Sequence, residues 1–267
     1  MWYIKIANFV YWVRGMDMSL INSYDESEEI VKAEILTKGQ KRLPKIAIVC
    51  FKKELIEIIK NNKEFEEYSE INVCGENIKI YKTQIGKKSV ILYRTLVGGP
   101  ATTSMMEELH ARGVDNFIFF GSCGELTSDM KKGAFIIPTE AYRDEGTSYH
   151  YMPVSDFVKV KTATQLEKIF KKKNINYELV KTWTTDALYK ETKNKTKKRI
   201  ESGCKVVEME CASIMAVANS RNINAYQFLY SDDTLAGENW DMKTLIEDRS
   251  FILKECLNIA NEIVKEI

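Results

Sequence analysis

The chain has 267 residues, and its 39 lysines and arginines balance 38 aspartates and glutamates, which leaves a formal net charge of +1. This balance gives no basic excess for binding nucleic acid or an anionic membrane surface, so neither is expected as a partner. Hydrophobic residues make up 45% of the chain and aromatic residues 10%, a globular composition that excludes intrinsic disorder. No apolar run approaches the roughly 18 residues that a membrane-spanning helix needs.

The cysteines and histidines argue against a metal site and against a disulfide framework. The six cysteines show no CxxC spacing, and the only two histidines are His110 and His150. A zinc site would have to be assembled from widely scattered residues, so no metal is expected. The short apolar stretch at residues 6–13 is followed by Arg14 and by no small-residue cleavage site. We therefore expect reduced thiols and a cytoplasmic protein.

Short apolar runs alternate along the chain with stretches of helical periodicity. The runs that predict strands are rich in β-branched and aromatic residues and cover residues 46–50, 89–93, 117–120, 135–137 and 226–230. The predicted helices cover residues 54–60, 102–112, 212–220 and 244–267. The second of these helices follows a Gly-Gly-Pro start and stops at Gly113. The alternation predicts an α/β layered fold with a largely parallel or mixed sheet.

Two glycine-containing segments follow predicted strands, where open α/β sheets bind their ligands. Gly98 stands in a Gly-Gly-Pro sequence before a helix, whose first turn offers free N–H groups to an anion or a hydroxyl. Ser122 and Gly124 belong to the small-residue segment 121–124, where a ligand can lie against backbone N–H groups and a serine hydroxyl. Each segment, taken singly, is equally compatible with a simple turn.

Two acidic segments occupy similar positions. Glu208 and Glu210 flank Met209 at the start of an apolar helix. One of these carboxylates can accept both hydroxyls of a sugar diol, or the pair can simply cap the helix N-terminus. Asp232 follows Ser231 at a strand end and precedes a second aspartate. Two adjacent carboxylates can cap a helix, or burial and like charge can raise one pKa and make a proton donor near neutral pH.

The order and spacing of these segments, together with RDEGTSYHY at residues 143–151, resembles the nucleoside phosphorylase superfamily. This superfamily comprises purine nucleoside and uridine phosphorylases and also methylthioadenosine nucleosidases. The similarity predicts a family domain at residues 45–267 and an aromatic N-terminal arm at residues 1–44. It implies a three-layer α/β/α fold around a twisted mixed sheet. It also implies homo-oligomers (dimers or trimers of dimers), no cofactor, and inorganic phosphate as the co-substrate of phosphorolytic members.

The resemblance also implies residue roles. Glu210 would anchor the ribose 2′- and 3′-hydroxyls, Met209 would pack on the sugar, and Glu208 would lie near the base. Asp232, with Ser231 beside it, corresponds to the acid that protonates the departing purine. Because cleavage of an N-glycosidic bond develops negative charge on the base, a neutral carboxyl group beside the base lowers the barrier.

The base-binding wall is predicted from the segment TWTTDALY. Its aromatic candidates for stacking are Trp183 and Tyr189, although the aromatic position of the family falls on Leu188. Uridine-acting relatives carry a Gln and an Arg shortly afterwards, and the matching residues here are Thr192 and Asn194. A purine nucleoside is therefore the favoured substrate.

The chain departs from the family at the phosphate site. Phosphorylases place Gly-Asp-Pro and an Arg after the first strand, whereas residues 50–54 read Cys-Phe-Lys-Lys-Glu, and a second family Arg is Phe119 here. Phosphate normally requires guanidinium forks and free N–H groups. Replacement cations are available at Lys52, Lys53 and Arg94. Hydrolytic relatives instead use a glutamate in this first turn to activate water; Glu54 is the candidate, and an exposed helix glutamate is equally compatible.

The sequence therefore predicts an enzyme that cleaves the N-glycosidic bond of a small-molecule nucleoside. Phosphorolysis to ribose 1-phosphate and free base is the favoured reaction. A phosphate-independent nucleosidase and a nucleoside-binding protein without turnover stay open as alternatives.

Overall fold

A computed structural model describes residues 19–73, 75–237, 239–242 and 250–267. The aromatic stretch of the predicted N-terminal arm, at residues 2–12, lies outside the described residues. The described strands are β1 (Ile46–Cys50), β2 (Glu66–Val73), β3 (Glu76–Ile85), β4 (Lys88–Arg94), β5 (Asn116–Glu125), β6 (Phe135–Asp144), β7 (Phe157–Lys159), β8 (Tyr177–Thr185), β9 (Cys204–Glu208) and β10 (Asn224–Thr234).

One described helix precedes the first strand, and the others lie between the strands or after the last one. They are α1 (Ala33–Leu36), α2 (Lys53–Lys60), α3 (Gly99–Ala111), α4 (Ser148–Tyr151), α5 (Ala163–Lys172), α6 (Lys193–Glu201), α7 (Cys211–Arg221) and α8 (Ser250–Glu266), with a 3-10 turn at Leu188–Lys190. Among the described residues, no helix combines the length and the apolar character that crossing a membrane requires.

All ten described strands belong to one mixed sheet. Strands β2, β3 and β4 form an antiparallel meander, and β4, β1, β5 and β10 continue the sheet in parallel. The path then returns through β6, β8 and β9 to β5. Because β5 pairs with both β10 and β9, these five strands close into a ring, and a closed ring leaves no unpaired edge on that side.

Helices cover this sheet in two groups. Helices α1, α3, α4 and α7 contact one another, and α8 contacts both α2 and α5. The strand β1 is buried along its whole length, as its uninterrupted apolar sequence requires, and it lies at the centre of the sheet. The predicted α/β fold with a central mixed sheet is confirmed, and its closure into a ring is an addition to the layered arrangement that the sequence predicts.

Candidate active site

A cavity of about 320 Å³ opens where the carboxyl ends of several strands meet. Strands β1, β5 and β10 run parallel and end on the same side of the sheet. Strand β9 runs antiparallel to β5 and pairs with its last two residues: Val207 lies opposite Gly124 and Val206 opposite Glu125. The carboxyl end of β9 therefore also reaches this side. The volume is at the lower end of the range of small-molecule sites, which begins at about 300 Å³.

Glu208 lines this cavity, but its carboxylate is engaged by the protein. The Oε2 atom accepts the backbone N–H groups of Glu210 and Cys211 at 2.7 and 2.6 Å. The Oε1 atom accepts the hydroxyls of Thr184 and Thr182 at 2.5 and 3.2 Å. Glu208 is therefore a buried cap of α7 that aligns the start of this helix with the cavity, rather than an open contact for the base.

Glu210 occupies the N-cap position of α7 and is 7% exposed. Burial and the neighbouring charge of Glu208 raise the pKa of Glu210 to about 8, while the hydrogen bond from the N–H of Gly98 lowers it. That N–H donates to Oε1 at 2.7 Å. Gly98 has a φ of 100°, a conformation that favours glycine, so the predicted role of Gly98 becomes one of positioning this carboxylate.

Small residues at the end of β5 form another part of the cavity wall. Ser122 and Gly124 both line it, as does Met209 opposite them at the start of α7. A Cβ atom at Gly124 would lie 2.9 Å from Cδ1 of Leu235 and 3.1 Å from Oδ1 of Asp233. Glycine is therefore required here because the end of β10 passes close to the backbone.

The end of β10 presents a different carboxylate from the one that the sequence predicts. Asp232 is 3% exposed and does not line the cavity, nor does Ser231, whereas Asp233 lines it. The pairing of β10 with β5 shifts register between Ser231 and Asp233, which is the mark of a β-bulge at Asp232. A bulge changes the direction of the side chains that follow it. Because the sequence does not show this bulge, it could not indicate which of the two adjacent aspartates faces the cavity.

The aromatic wall predicted from Trp183 and Tyr189 is wrong. Trp183 is fully buried in the core, where its Nε1 donates to Oδ2 of Asp144 at 3.0 Å. Tyr189 is 91% exposed and does not line the cavity. Leu188, the family's aromatic position, lines it instead, and so does Trp240, which the sequence analysis did not consider.

The end of β1 brings Phe51 and Lys52 into the cavity wall. A Cβ atom at Gly121 would lie 3.0 Å from the ring of Phe51, so this ring rests directly on the backbone of β5. Lys52 is the cation of the cavity wall among the described residues. Phe119, which stands where the family has an Arg, is fully buried and stacks with Phe117.

The other candidates for the phosphate and water chemistry lie elsewhere. Glu54 is exposed in the first turn of α2 and does not line the cavity, so the structure gives no support to its predicted role as the water-activating base. Lys53 is also exposed. Arg94 faces Glu76, with 3.7 Å between Nη2 and Oε2.

Glu191 is a cavity residue that the sequence analysis missed. It follows the 3-10 turn that carries Leu188 and lines the cavity together with Asp233. Burial and the charge of Asp233 raise the pKa of Glu191 to about 7, although Lys195 lowers it. In the sequence Glu191 stands in a lysine-rich stretch, residues 190–199, and is indistinguishable from a solvated surface charge. Its spacing of three residues from Leu188 was the available signal.

A second cavity of about 810 Å³ lies between residues 24–29 and helices α3, α4 and α7. It is larger, but it contains none of the strand-end residues discussed above. The cavity at the strand ends is therefore the candidate active site, because α/β sheets bind ligands there. Within the described part of the chain, no three His, Cys, Asp or Glu side chains come together as a metal site.

Comparisons with known proteins agree with this architecture. The family model of the phosphorylase superfamily matches residues 45–267, and the chain therefore belongs to this superfamily. An uncharacterised protein of Acanthamoeba polyphaga mimivirus is 27% identical over 199 residues, which are 73% of this chain and 78% of the relative. The predicted membership of this family is confirmed.

Other relatives carry functional names, and two of them serve as examples. The guanosine phosphorylase of Halorubrum lacusprofundi is 25% identical over 217 residues, covering 80% of this chain and 83% of the relative. A DeoD-type purine nucleoside phosphorylase of Bacillus cytotoxicus is 28% identical over 206 residues, covering 74% and 86%.

The fold is also that of a solved structure, the purine nucleoside phosphorylase of Toxoplasma gondii in complex with immucillin-H. The TM-score is 0.69 at 18% identity, and the match covers 84% of this chain and 90% of the other.

Proposed function

We propose that this protein is a purine nucleoside phosphorylase, a pentosyltransferase that converts a purine nucleoside and inorganic phosphate into ribose 1-phosphate and the free base. The observation that carries the proposal is Glu210, a buried carboxylate held by the N–H of Gly98 at the wall of the strand-end cavity. Membership of the phosphorylase superfamily and the names of the relatives support the same reaction.

In this proposal Glu210 binds the sugar. A carboxylate can accept both the 2′- and the 3′-hydroxyl of ribose, and hydrogen bonds to a charged acceptor are stronger than neutral ones. A buried charge is costly until it is satisfied by donors. A ribose diol that donates to Glu210 therefore relieves part of this cost, which favours a ligand with two adjacent hydroxyls.

In the proposed reaction an oxygen of phosphate attacks C1′ of the ribose while the bond from C1′ to N9 breaks. The electron pair of this bond passes to the purine, which takes up a proton at N7. Lys52 and the Ser122 hydroxyl, both on the cavity wall, are the groups proposed to bind the phosphate. A lysine supplies a compact charge where family members use arginines, so we expect weaker phosphate binding than a guanidinium fork gives.

The proton donor is proposed to be a carboxyl group at the end of β10. Asp233 faces the cavity, and a general acid must be within hydrogen-bond reach of the atom that it protonates. The resemblance to the family favours Asp232 instead. Separate Asp232→Asn and Asp233→Asn variants distinguish the two, because the variant that lacks the acid loses about 10²- to 10⁴-fold in kcat.

Hydrolysis is the second candidate, because the Phe51 ring lies on Gly121 and the buried Phe119 occupies the position of a family Arg. The exposed Glu54 gives no support to this alternative. We further propose a homo-oligomer that uses no cofactor besides the co-substrate phosphate, as the resemblance implies, and a cytoplasmic location, as the cysteine pattern indicates. Sedimentation of the purified protein tests the oligomer.

The test is product analysis with inosine, guanosine, adenosine and uridine, each incubated with and without phosphate. Ribose 1-phosphate that forms from purine nucleosides only when phosphate is present supports the proposal. Free ribose in the absence of phosphate would establish the hydrolase, and tight binding without any product would establish a nucleoside-binding protein.

A further inference from the structure

The wall of the active-site cavity carries a buried amide whose oxygen has no partner in the described part of the protein. Gln227, on β10, is 1% exposed and lines the cavity. Its Oε1 atom accepts no hydrogen bond from any residue that the structure describes. A buried acceptor without a donor destabilises a fold, so such a group in a native protein calls for a partner from outside the chain. Because Gln227 lines a cavity, we expect this partner to be a ligand group that donates a hydrogen bond.

The strand register places Gln227 at the end of the cavity that is proposed to bind phosphate. In the pairing of β10 with β5, Gln227 lies opposite Phe119. Gly121 follows Phe119 by two residues on β5, and residues two apart on a strand share a face of the sheet. Gln227 therefore lies on the face where the Phe51 ring rests on Gly121. The next residue of β5 is Ser122, whose hydroxyl is one of the groups proposed to bind phosphate.

The amide replaces a guanidinium with a group of different hydrogen-bonding character. Phe119 stands where phosphorylases carry an Arg, and Gln227 is its neighbour across the strand pair. A guanidinium only donates hydrogen bonds, so it binds any oxyanion, whereas the oxygen of an amide only accepts and therefore needs a proton on the ligand. Near neutral pH inorganic phosphate carries such a proton, as HPO₄²⁻ or H₂PO₄⁻, and sulfate carries none.

We propose that Oε1 of Gln227 accepts a hydrogen bond from the hydroxyl of hydrogen phosphate and thereby distinguishes phosphate from sulfate. This inference rests on the proposed function, and it adds a residue that binds the co-substrate and the form of the anion that is bound. Lys52 and Ser122 then contact oxygens that carry no proton. Because Gln227 holds the hydroxyl, the oxygen left to attack C1′ is an unprotonated one, which is the better nucleophile.

Ribose and water are the other donors that reach this cavity in the proposed reaction. The ribose diol is better matched to the charged carboxylate of Glu210, because hydrogen bonds to a charged acceptor are stronger than hydrogen bonds to a neutral amide. A water molecule at Gln227 would instead serve hydrolysis, and the experiment below distinguishes it from phosphate.

The first measurement compares phosphate with sulfate in the wild-type protein, as the KM for phosphate in the cleavage of inosine and as the Ki of sulfate competing with phosphate. We expect the Ki of sulfate to exceed the KM for phosphate by about 10- to 100-fold, the value of a hydrogen bond to a charged group. Arsenate, which also carries a hydroxyl, should support base release in place of phosphate.

The second measurement removes the amide with Gln227→Met, which keeps the length of the side chain. We expect the KM for phosphate to rise about 10- to 100-fold and the Ki of sulfate to change less than threefold. In phosphate-free buffer the variant should melt roughly 2–4 °C above the wild type, because the unsatisfied acceptor is gone. The matched control is Gln84→Met, an exposed glutamine of β3 outside the cavity, which should leave the KM for phosphate unchanged.

The outcomes separate this inference from the proposed function. A Gln227→Met variant that keeps the wild-type preference for phosphate over sulfate would overturn the inference, although the phosphorylase stands. A fall in kcat at an unchanged KM for phosphate, or a lower melting temperature, would indicate a structural role and would also overturn it. Free ribose that the wild type forms without phosphate and the variant does not would make water the partner of the amide. Wild-type protein that cleaves no nucleoside contradicts the proposed function itself.

Discussion

Replacing Glu210 with glutamine should lower the activity and at the same time stabilise the fold. The buried carboxyl group has a pKa of about 8 in place of its ordinary 4.5. Each pKa unit corresponds to about 1.4 kcal/mol. At pH 7 Glu210 is ionised in the unfolded chain but not in the folded protein, so the raised pKa destabilises the folded state by roughly 3 kcal/mol. Glutamine keeps an oxygen that can accept the N–H of Gly98 without carrying the charge.

The sign of the pH dependence follows from this raised pKa. In the unfolded chain Glu210 loses its proton near pH 4.5, whereas in the folded protein it holds the proton until about pH 8. The unfolded state is therefore favoured increasingly as the pH rises between these two values. We expect the free energy of unfolding of Glu210→Gln to match that of the wild type near pH 4 and to exceed it by roughly 3 kcal/mol at pH 7.

The catalytic effect should be opposite. Nucleoside binding favours the ionised form of Glu210, because the ribose hydroxyls donate to it. A neutral amide in its place weakens each ribose hydrogen bond by about 1 kcal/mol, so kcat/KM for a purine nucleoside should fall about 10- to 100-fold. Urea denaturation at several pH values measures the first effect, and initial rates of base release measure the second. A variant with wild-type activity, or with a stability difference that does not change with pH, would refute this reasoning.

Glu208 supplies the contrast, because its carboxylate satisfies donors of the protein. Glu208→Ala leaves the buried N–H groups of Glu210 and Cys211 without their acceptor. Each unsatisfied donor costs about 1–3 kcal/mol, so this variant should be destabilised by roughly 2–6 kcal/mol. Opposite changes in stability at two glutamates separated by one residue would distinguish the helix cap from the ligand-binding anion.

Two further predictions concern the proposed phosphate site and the packing of α3 against α7. Lys52→Met should raise the KM for phosphate about 10-fold or more, with Lys53→Met as the exposed control; an unchanged KM would exclude Lys52 as the phosphate cation. Gly99→Ala should destabilise the fold by about 1–3 kcal/mol, because its Cβ would lie 2.2 Å from Oγ of Ser213. Gly146→Ala is the control, because its Cβ would lie 3.6 Å from its nearest neighbour, and its stability should stay within about 0.5 kcal/mol of the wild type. Thermal denaturation of both variants and the wild type measures these differences.

The parts of the fold that were predictable are those set by local pattern. The apolar run at residues 46–50 is β1, and the Gly-Gly-Pro start and Gly113 bound α3 to within one to three residues of the prediction. The hairpin of β2 and β3 was missed because charged residues alternate with its few apolar ones. Closure of the ring was also unpredictable, since it depends on pairing of β10 with the distant β6 through Leu229 and Ile136.

The candidate site divides in the same way. Ser122 and Gly124, which lie on the cavity wall, could be singled out because they follow a recognisable strand, and Glu210 because it stands at the start of a recognisable apolar helix. The face of Trp183 could not be read locally, because its burial depends on Asp144 from another strand. The position of Asp233 on the cavity wall depends on a β-bulge, and such a register shift leaves no signal in the residues around it.

A crystal structure of the protein with a purine nucleoside and phosphate would test the central claim most directly. We predict that the nucleoside occupies the cavity at the strand ends, with both ribose hydroxyls within about 3 Å of the Glu210 carboxylate and the base beside Glu191. A nucleoside bound instead in the larger cavity between residues 24–29 and helices α3, α4 and α7, with Glu210 contacting no part of it, would contradict the account.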